Sequence, residues 1–170
     1  MSISREISDY LSHDHDRLDR LLEQSLLPDG SIDLESYYQF RQGLLRHIGI
    51  EEKILIPALL SGRHEEITQT IDRIKLDHSA IVALLVPTPS SAIIAALRAI
   101  LSGHNALEEQ NGGMYERADI YNQQSLAMIS QKMKEAPEVR SLPNNQDPKI
   151  LEATRRALER AGYDPKVFSI

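Results

Sequence analysis

Six residues of this chain combine a suitable chemistry with a suitable spacing for holding cations: His15, His47, Glu51, His78, His104 and Glu108. Two pairs are written HxxxE, in HIGIE at 47–51 and HNALE at 104–108. On a helix, residues four apart stand one above the other, so each pair aims an imidazole and a carboxylate at a common point. Imidazole suits iron, zinc, copper and nickel, and carboxylate also accepts manganese. The chain order is His, His with Glu, His, His with Glu, so its two halves are related by a pseudo-two-fold. Four imidazoles and two bridging carboxylates can serve two cations, each with two histidines and both glutamates. That leaves room for a bridging oxygen and an open position, which a redox-active iron pair uses better than a structural zinc does.

The elements that position these residues must be helices with inward-facing stripes. In the first, about Ser4 to Leu27, the stripe is Ile7, Leu11, His15, Leu18 and Leu22. The second runs from a cap at Ser31 or Asp33 to about Leu60, with a kink or break expected at Pro57. Its stripe is Phe40, Leu44, His47, Glu51, Ile54 and Ala58, and Glu52 is turned about 100° away. After the SGRH connection, 61–64, the third runs from about Glu65 to Leu85, with Ile67, Ile71, Ile74, His78, Ile81 and Leu85 inward. VPTPSS, 86–91, breaks the chain, and Ser90 or Ser91 caps a fourth helix carrying Leu97, Leu101, His104 and Glu108. Gly112 and Gly113 permit a bend, and a helical pattern resumes from Tyr115 to about Ala136. Residues 137–148 read as coil, and a short helix, Lys149 to Ala161, ends at Gly162.

The fold expected is all-α: an up-down-up-down four-helix bundle over 1–136, then a linker and C-terminal helix over 137–170. That extension either packs back on the bundle or joins a homodimer. The dimer is preferred, because four helices close without it.

Buried ionised carboxylates are costly unless paired, and a lone core histidine is usually just a satisfied core residue. Two glutamates and four imidazoles in one core need a common partner, which cations supply. The neighbouring cations Arg41, Arg46 and Lys53 fall on other faces. His13 and His64 read as surface residues, and Met114, Met128 and Met133 as core or interface filler.

Composition narrows the alternatives. A formal charge of −6 and no dense Lys/Arg block argue against nucleic acid. No apolar run approaches the roughly 18 residues of a membrane span, and no signal-peptide core follows Met1, so a cytoplasmic location is expected. Cysteine is absent, so cation ligands must be nitrogen and oxygen.

At SHDHDRLDRLL (12–22), HIGIEEKILIPALL (47–60), LDHSAI (76–81) and HNALEEQNGGMY (104–115), the sequence resembles the hemerythrin-like, or HHE cation-binding, family. The resemblance implies a four-helix bundle holding a non-heme di-iron centre with carboxylate and oxo or hydroxo bridges. The ligands would be His15, His47, Glu51, His78, His104 and Glu108, with zinc or manganese as substitutes for the two irons. Oxygen-carrying hemerythrins place two histidines one turn apart on the third helix. Here the positions a turn either side of His78 are Ile74 and Val82. The pattern is closer to bacterial di-iron proteins linked to repair of iron–sulfur clusters, which carry a cysteine-bearing N-terminal domain.

The function expected is binding of, or reaction with, O2, NO or peroxide, as sensor, scavenger or oxidoreductase with an unidentified electron donor. The alternatives are metal storage or buffering, a non-catalytic interaction bundle, and zinc or manganese hydrolytic chemistry. Asp14, Asp16, Glu52, Asp77 and Glu109 are available as acceptors for the imidazole N–H groups, but the stripes turn most of them away. Tyr10, Tyr37, Tyr38 and Tyr115 are candidates for hydrogen bonds or radical transfer, against a background of plain aromatic packing.

Overall fold

A computed structural model describes residues 4–62 and 64–170. The described residues are helical, with two isolated bridges and no strand. The helices are α1 (Glu6–Gln24), α2 (Leu34–Ile50), a π turn (Glu51–Leu55), α3 (Ile56–Ser61), α4 (Glu65–Leu84) and α5 (Ser91–Glu109). Then come α6 (Met114–Tyr121), α7 (Leu126–Lys134), α8 (Pro148–Arg160) and a 3₁₀ turn (Pro165–Phe168). No helix among the described residues is long and apolar enough to cross a membrane.

The caps follow the residue chemistry. The Asp33 carboxylate accepts the Glu35 N–H at the start of α2, and the Ser90 hydroxyl accepts the Ile93 N–H at the start of α5. The SGRH connection includes Arg63, which lies outside the described residues. The helix does not break at Pro57. Instead α2 runs through the π turn into α3, where the Ile56 N–H bonds the Glu51 carbonyl five residues back. The wider turn carries the chain past a residue that cannot donate.

The π turn also corrects the second stripe. One extra residue rotates all that follows, so Leu55 and Leu59 are buried where Ile54 and Ala58 were expected. The helix expected from Tyr115 to Ala136 is two. The Asn122 side chain donates to the Ala118 carbonyl, and the Ser125 N–H turns back to the Asn122 carbonyl, dividing α6 from α7.

Two apolar clusters fill the bundle. One gathers Leu18, Leu22, Phe40, Leu44, Ile81, Leu84, Leu97 and Leu101. The other gathers Ile7, Leu11, Leu55, Leu59, Ile71, Ile74, Met114 and Met133. Along α1 the boundary falls between Leu11 and Leu18, and along α4 between Ile74 and Ile81. His15 and His78 stand at those boundaries.

The later helices are tied on by polar contacts. Asp119 on α6 accepts the N–H groups of Ile7 (3.0 Å) and Ser8 (3.1 Å) and the Ser8 hydroxyl (2.5 Å). It thereby caps α1 from a distant part of the chain, where Arg5 supplies no cap of its own. Arg46 donates to the Met133 and Ala136 carbonyls at the end of α7. The α8 helix lies on α4: Thr154 donates to the Ala83 carbonyl (3.1 Å), and the Leu158 and Ala161 side chains join the first cluster. The segment before it is held by Arg41, which donates to the Leu142 carbonyl, and by Asn144, which donates to the Pro87 carbonyl.

Candidate metal centre

The structure brings all six sequence-derived residues together between the two apolar clusters. His15, from α1, is 5% exposed, and the other five are more deeply buried. One ligand atom each from His15, His47, Glu51 and Glu108 lies within 4.8 Å of the others, and the same holds for Glu51, His78, His104 and Glu108. The two sets share both glutamates. Glu51 turns Oε1 toward His47 Nε2 (3.4 Å) and Oε2 toward His78 Nε2 (3.2 Å). Glu108 turns Oε2 toward His15 Nε2 (3.4 Å) and Oε1 toward His104 Nε2 (3.1 Å). Each carboxylate therefore offers one oxygen to each set, as a bridging ligand would.

These residues fit a cation. Glu51 Oε2, Glu108 Oε1 and His78 Nε2 are buried atoms without a hydrogen-bond partner. Leaving such atoms unsatisfied is costly, and all three face the set that holds His78 and His104. The donors are nitrogen and oxygen only, which suits iron, zinc or manganese.

Electrostatics agree with the geometry. Burial works against the charged imidazoles, but the ionised Glu51 and Asp14 beside His47 push it up to about 10. His104 reaches about 10 beside Glu108 and Asp77, and His78 about 9 beside Glu51 and Glu52. His15 is raised by Glu108 and Glu109 against the same burial. In return the histidines hold the buried Glu51 well below the usual carboxylate range, and His104 and His15 lower Glu108. Without a cation, the four imidazoles supply the positive charge that the two buried carboxylates face.

Three of the imidazoles hydrogen-bond an acid through the outer nitrogen, and the fourth faces one. His47 Nδ1 meets Asp14 (2.9 Å), His78 Nδ1 meets Glu52 (2.9 Å), and His15 Nδ1 meets Glu109. His104 Nδ1 lies 3.6 Å from Asp77, whose other oxygen accepts from Arg73 and from the Tyr163 hydroxyl. This corrects the expectation that these acids point away. They do point away from their own helix's stripe, but toward the histidine of the next helix. Each stands beside one of the six in sequence: Asp14 before His15, Glu52 after Glu51, Asp77 before His78, Glu109 after Glu108. Asp16 is exposed. Such acceptors fix the tautomer and aim of a ligating ring.

Tyr115, 1% exposed, is the functional neighbour that sequence reasoning left among four tyrosines. Its hydroxyl donates to Glu51 Oε1 (2.6 Å) and lies 3.1 Å from Glu108 Oε2. It is also 3.1 Å from His15 Nε2 and 3.2 Å from His47 Nε2. Burial and the two carboxylates push this phenol well above its ordinary value. A tight turn after α5 brings it there. Gly112 adopts φ +74°, and a Cβ on Gly113 would sit 2.6 Å from the Glu108 carbonyl oxygen. The sequence signals were the double glycine and the place of Tyr115 seven residues beyond Glu108, further along the stripe of the fourth helix. Tyr37 is buried in the first cluster, Tyr38 is largely exposed, and Tyr10 meets Arg46. His13 is exposed, and His64 stacks on Tyr121 (3.7 Å between ring centres), away from the centre.

A cleft lined by His15, Asp19, Arg98, Asn105 and Glu109 opens from the surface to the edge of the site.

Fold and site together define an all-helical protein with a buried nitrogen–oxygen cage suited to cations. Residues 6–111, well over half of the chain, match the model of the Hemerythrin HHE cation binding domain, and the chain belongs to that family. Comparison with curated proteins and with solved structures finds no match. The matched span holds all six clustered residues and excludes Tyr115 and helices α6 to α8.

Proposed function

We propose that this protein is a non-heme di-iron protein that binds or reacts with O2, NO or peroxide, as a sensor, scavenger or oxidoreductase. The observation that carries this reading is the pair of four-residue sets sharing Glu51 and Glu108. When bound, two ferrous ions would supply two electrons and an exchangeable position to a small ligand, with Glu51 and Glu108 serving both sets.

The chain's own residues prepare that chemistry. The four histidines and two glutamates hold the cations, and the four outer acids fix each imidazole. The apolar clusters above and below exclude bulk water and lower the dielectric around the site. The cleft beside His15 gives a diatomic molecule a short path. We assign the principal helices, α1, α2 with α3, α4 and α5, to an up-down-up-down arrangement. The alternation of the outer acids supports it: a step of −1 on one helix and +1 on the next turns toward the same side only when neighbouring helices run in opposite directions. We further propose that an external donor re-reduces the iron in the cytoplasm.

The test is metal analysis with optical spectra of protein made in iron-replete cells. About two irons per chain are expected, with near-ultraviolet bands that bleach on reduction and change on exposure to O2 or NO. Glu51→Ala, which serves both sets, is expected to lose both irons, whereas His104→Ala loses one. A wild-type protein that folds without metal overturns the reading. Two bound irons indifferent to O2, NO and peroxide indicate storage instead.

A further inference from the structure

We propose that the Tyr115 hydroxyl oxygen is a fifth protein ligand to the cation held by His15, His47, Glu51 and Glu108, which makes the two positions of the centre unequal. The inference rests on the di-iron reading above and concerns a residue outside the span that matches the family.

The geometry is one-sided. Tyr115 Oη lies 2.6 to 3.2 Å from a ligand atom of all four residues in the first set. Of the second set it reaches only the shared glutamates, and it makes no hydrogen bond to His78 or His104. The pseudo-two-fold that relates the two sets therefore ends at this oxygen.

The contacts suit a bound cation. Beside a cation the rings are neutral, and a hydrogen on Nδ1 of His15 or His47, donated to Glu109 or Asp14, leaves Nε2 as a lone pair. The hydroxyl then faces two imidazole lone pairs and two carboxylate oxygens with one hydrogen to give. A cation among these atoms satisfies all of them at once. Phenol oxygen is a hard donor of the same character as the carboxylates around it. On coordination the O–H bond breaks, the oxygen keeps its electron pair and shares it with the cation, and the proton leaves to solvent. No electron is transferred.

The oxygen is also held in place. Tyr115 begins the helix whose Asp119, one turn later, caps α1, and the Gly112–Gly113 turn fixes where that helix starts. The ring belongs to the second apolar cluster. With Tyr115 on the first position, the position of His78 and His104 is the one left with four protein ligands.

The experiment loads wild type and Tyr115→Phe with ferrous iron, oxidises them, counts iron, and records visible and resonance Raman spectra. Wild type is expected to bind about two irons per chain and to show a tyrosinate-to-ferric charge-transfer band with enhanced phenolate ring modes. Tyr115→Phe keeps the iron and loses the band completely. The Raman spectrum of wild type decides the matter even if the variant does not fold. Two bound irons without phenolate modes overturn the ligand assignment and leave the di-iron reading standing. A wild type without iron overturns both, and the iron count separates the two failures.

Discussion

Asp14 precedes His15 on α1, but its carboxylate bonds His47 on the next helix. That contact sets the hydrogen on Nδ1 and leaves Nε2 facing inward, the state a cation needs. Asp14→Asn keeps the shape but removes the charge, and is expected to weaken cation affinity by about 10–100-fold. Competition with a coloured chelator measures this, and exposed Asp16→Asn serves as the unchanged control. At this scale the sequence was informative about which six residues cluster and poor about the acids behind them. Helical spacing brings His47 and Glu51 to one face whatever surrounds them. Whether Asp14 reaches a histidine depends on the neighbouring helix, which spacing within one helix does not contain. Tyr115 was harder still, since its approach depends on the Gly112–Gly113 turn and on an anchor at Asp119, far from any ligand in sequence.

Among the elements, the second helix departs most from a regular pattern. A regular helix through 47, 51, 54 and 58 would bury Ile54 and Ala58, whereas the π turn gives those places to Leu55 and Leu59. Leu59→Ala is therefore expected to cost about 2–5 kcal/mol, by lost burial and a residual cavity. Ile54→Ala is expected to cost about 1 kcal/mol. Urea unfolding of the two variants compares them, and a larger loss for Ile54→Ala than for Leu59→Ala would argue for the unbroken stripe. The sequence offers a hint here: the run ILIPALL has apolar residues on every side, so its period alone does not choose a face. The stripes of α1, α4 and α5 have no such ambiguity, and their predicted inward residues are buried as expected.

Across the whole molecule, the centre is a charged layer between two apolar clusters. With a cation, the ionised glutamates meet the charge they are arranged for; without one, the imidazoles must carry it. Ligand binding to the folded state alone stabilises by mass action, by about 2.7 kcal/mol at a free cation concentration of 100 Kd. Protein stripped by a chelator is therefore expected to melt at a lower temperature than the reloaded protein, as calorimetry reads directly. An unchanged melting temperature would mean that cations contribute nothing to the fold.

The outer acids have a further consequence. They pass from α1 to α2, from α2 to α4, from α4 to α5, and from α5 back to α1, so the circuit has a direction. Leu and Ile layers are nearly indifferent to handedness: the same apolar stripes could pack with the helices wound round the axis in the opposite sense. In that mirror arrangement every acid would face the wrong neighbour, and three imidazole N–H groups would lose their acceptors together. The circuit thus selects one winding of the bundle over its mirror topology, a discrimination the apolar core does not make.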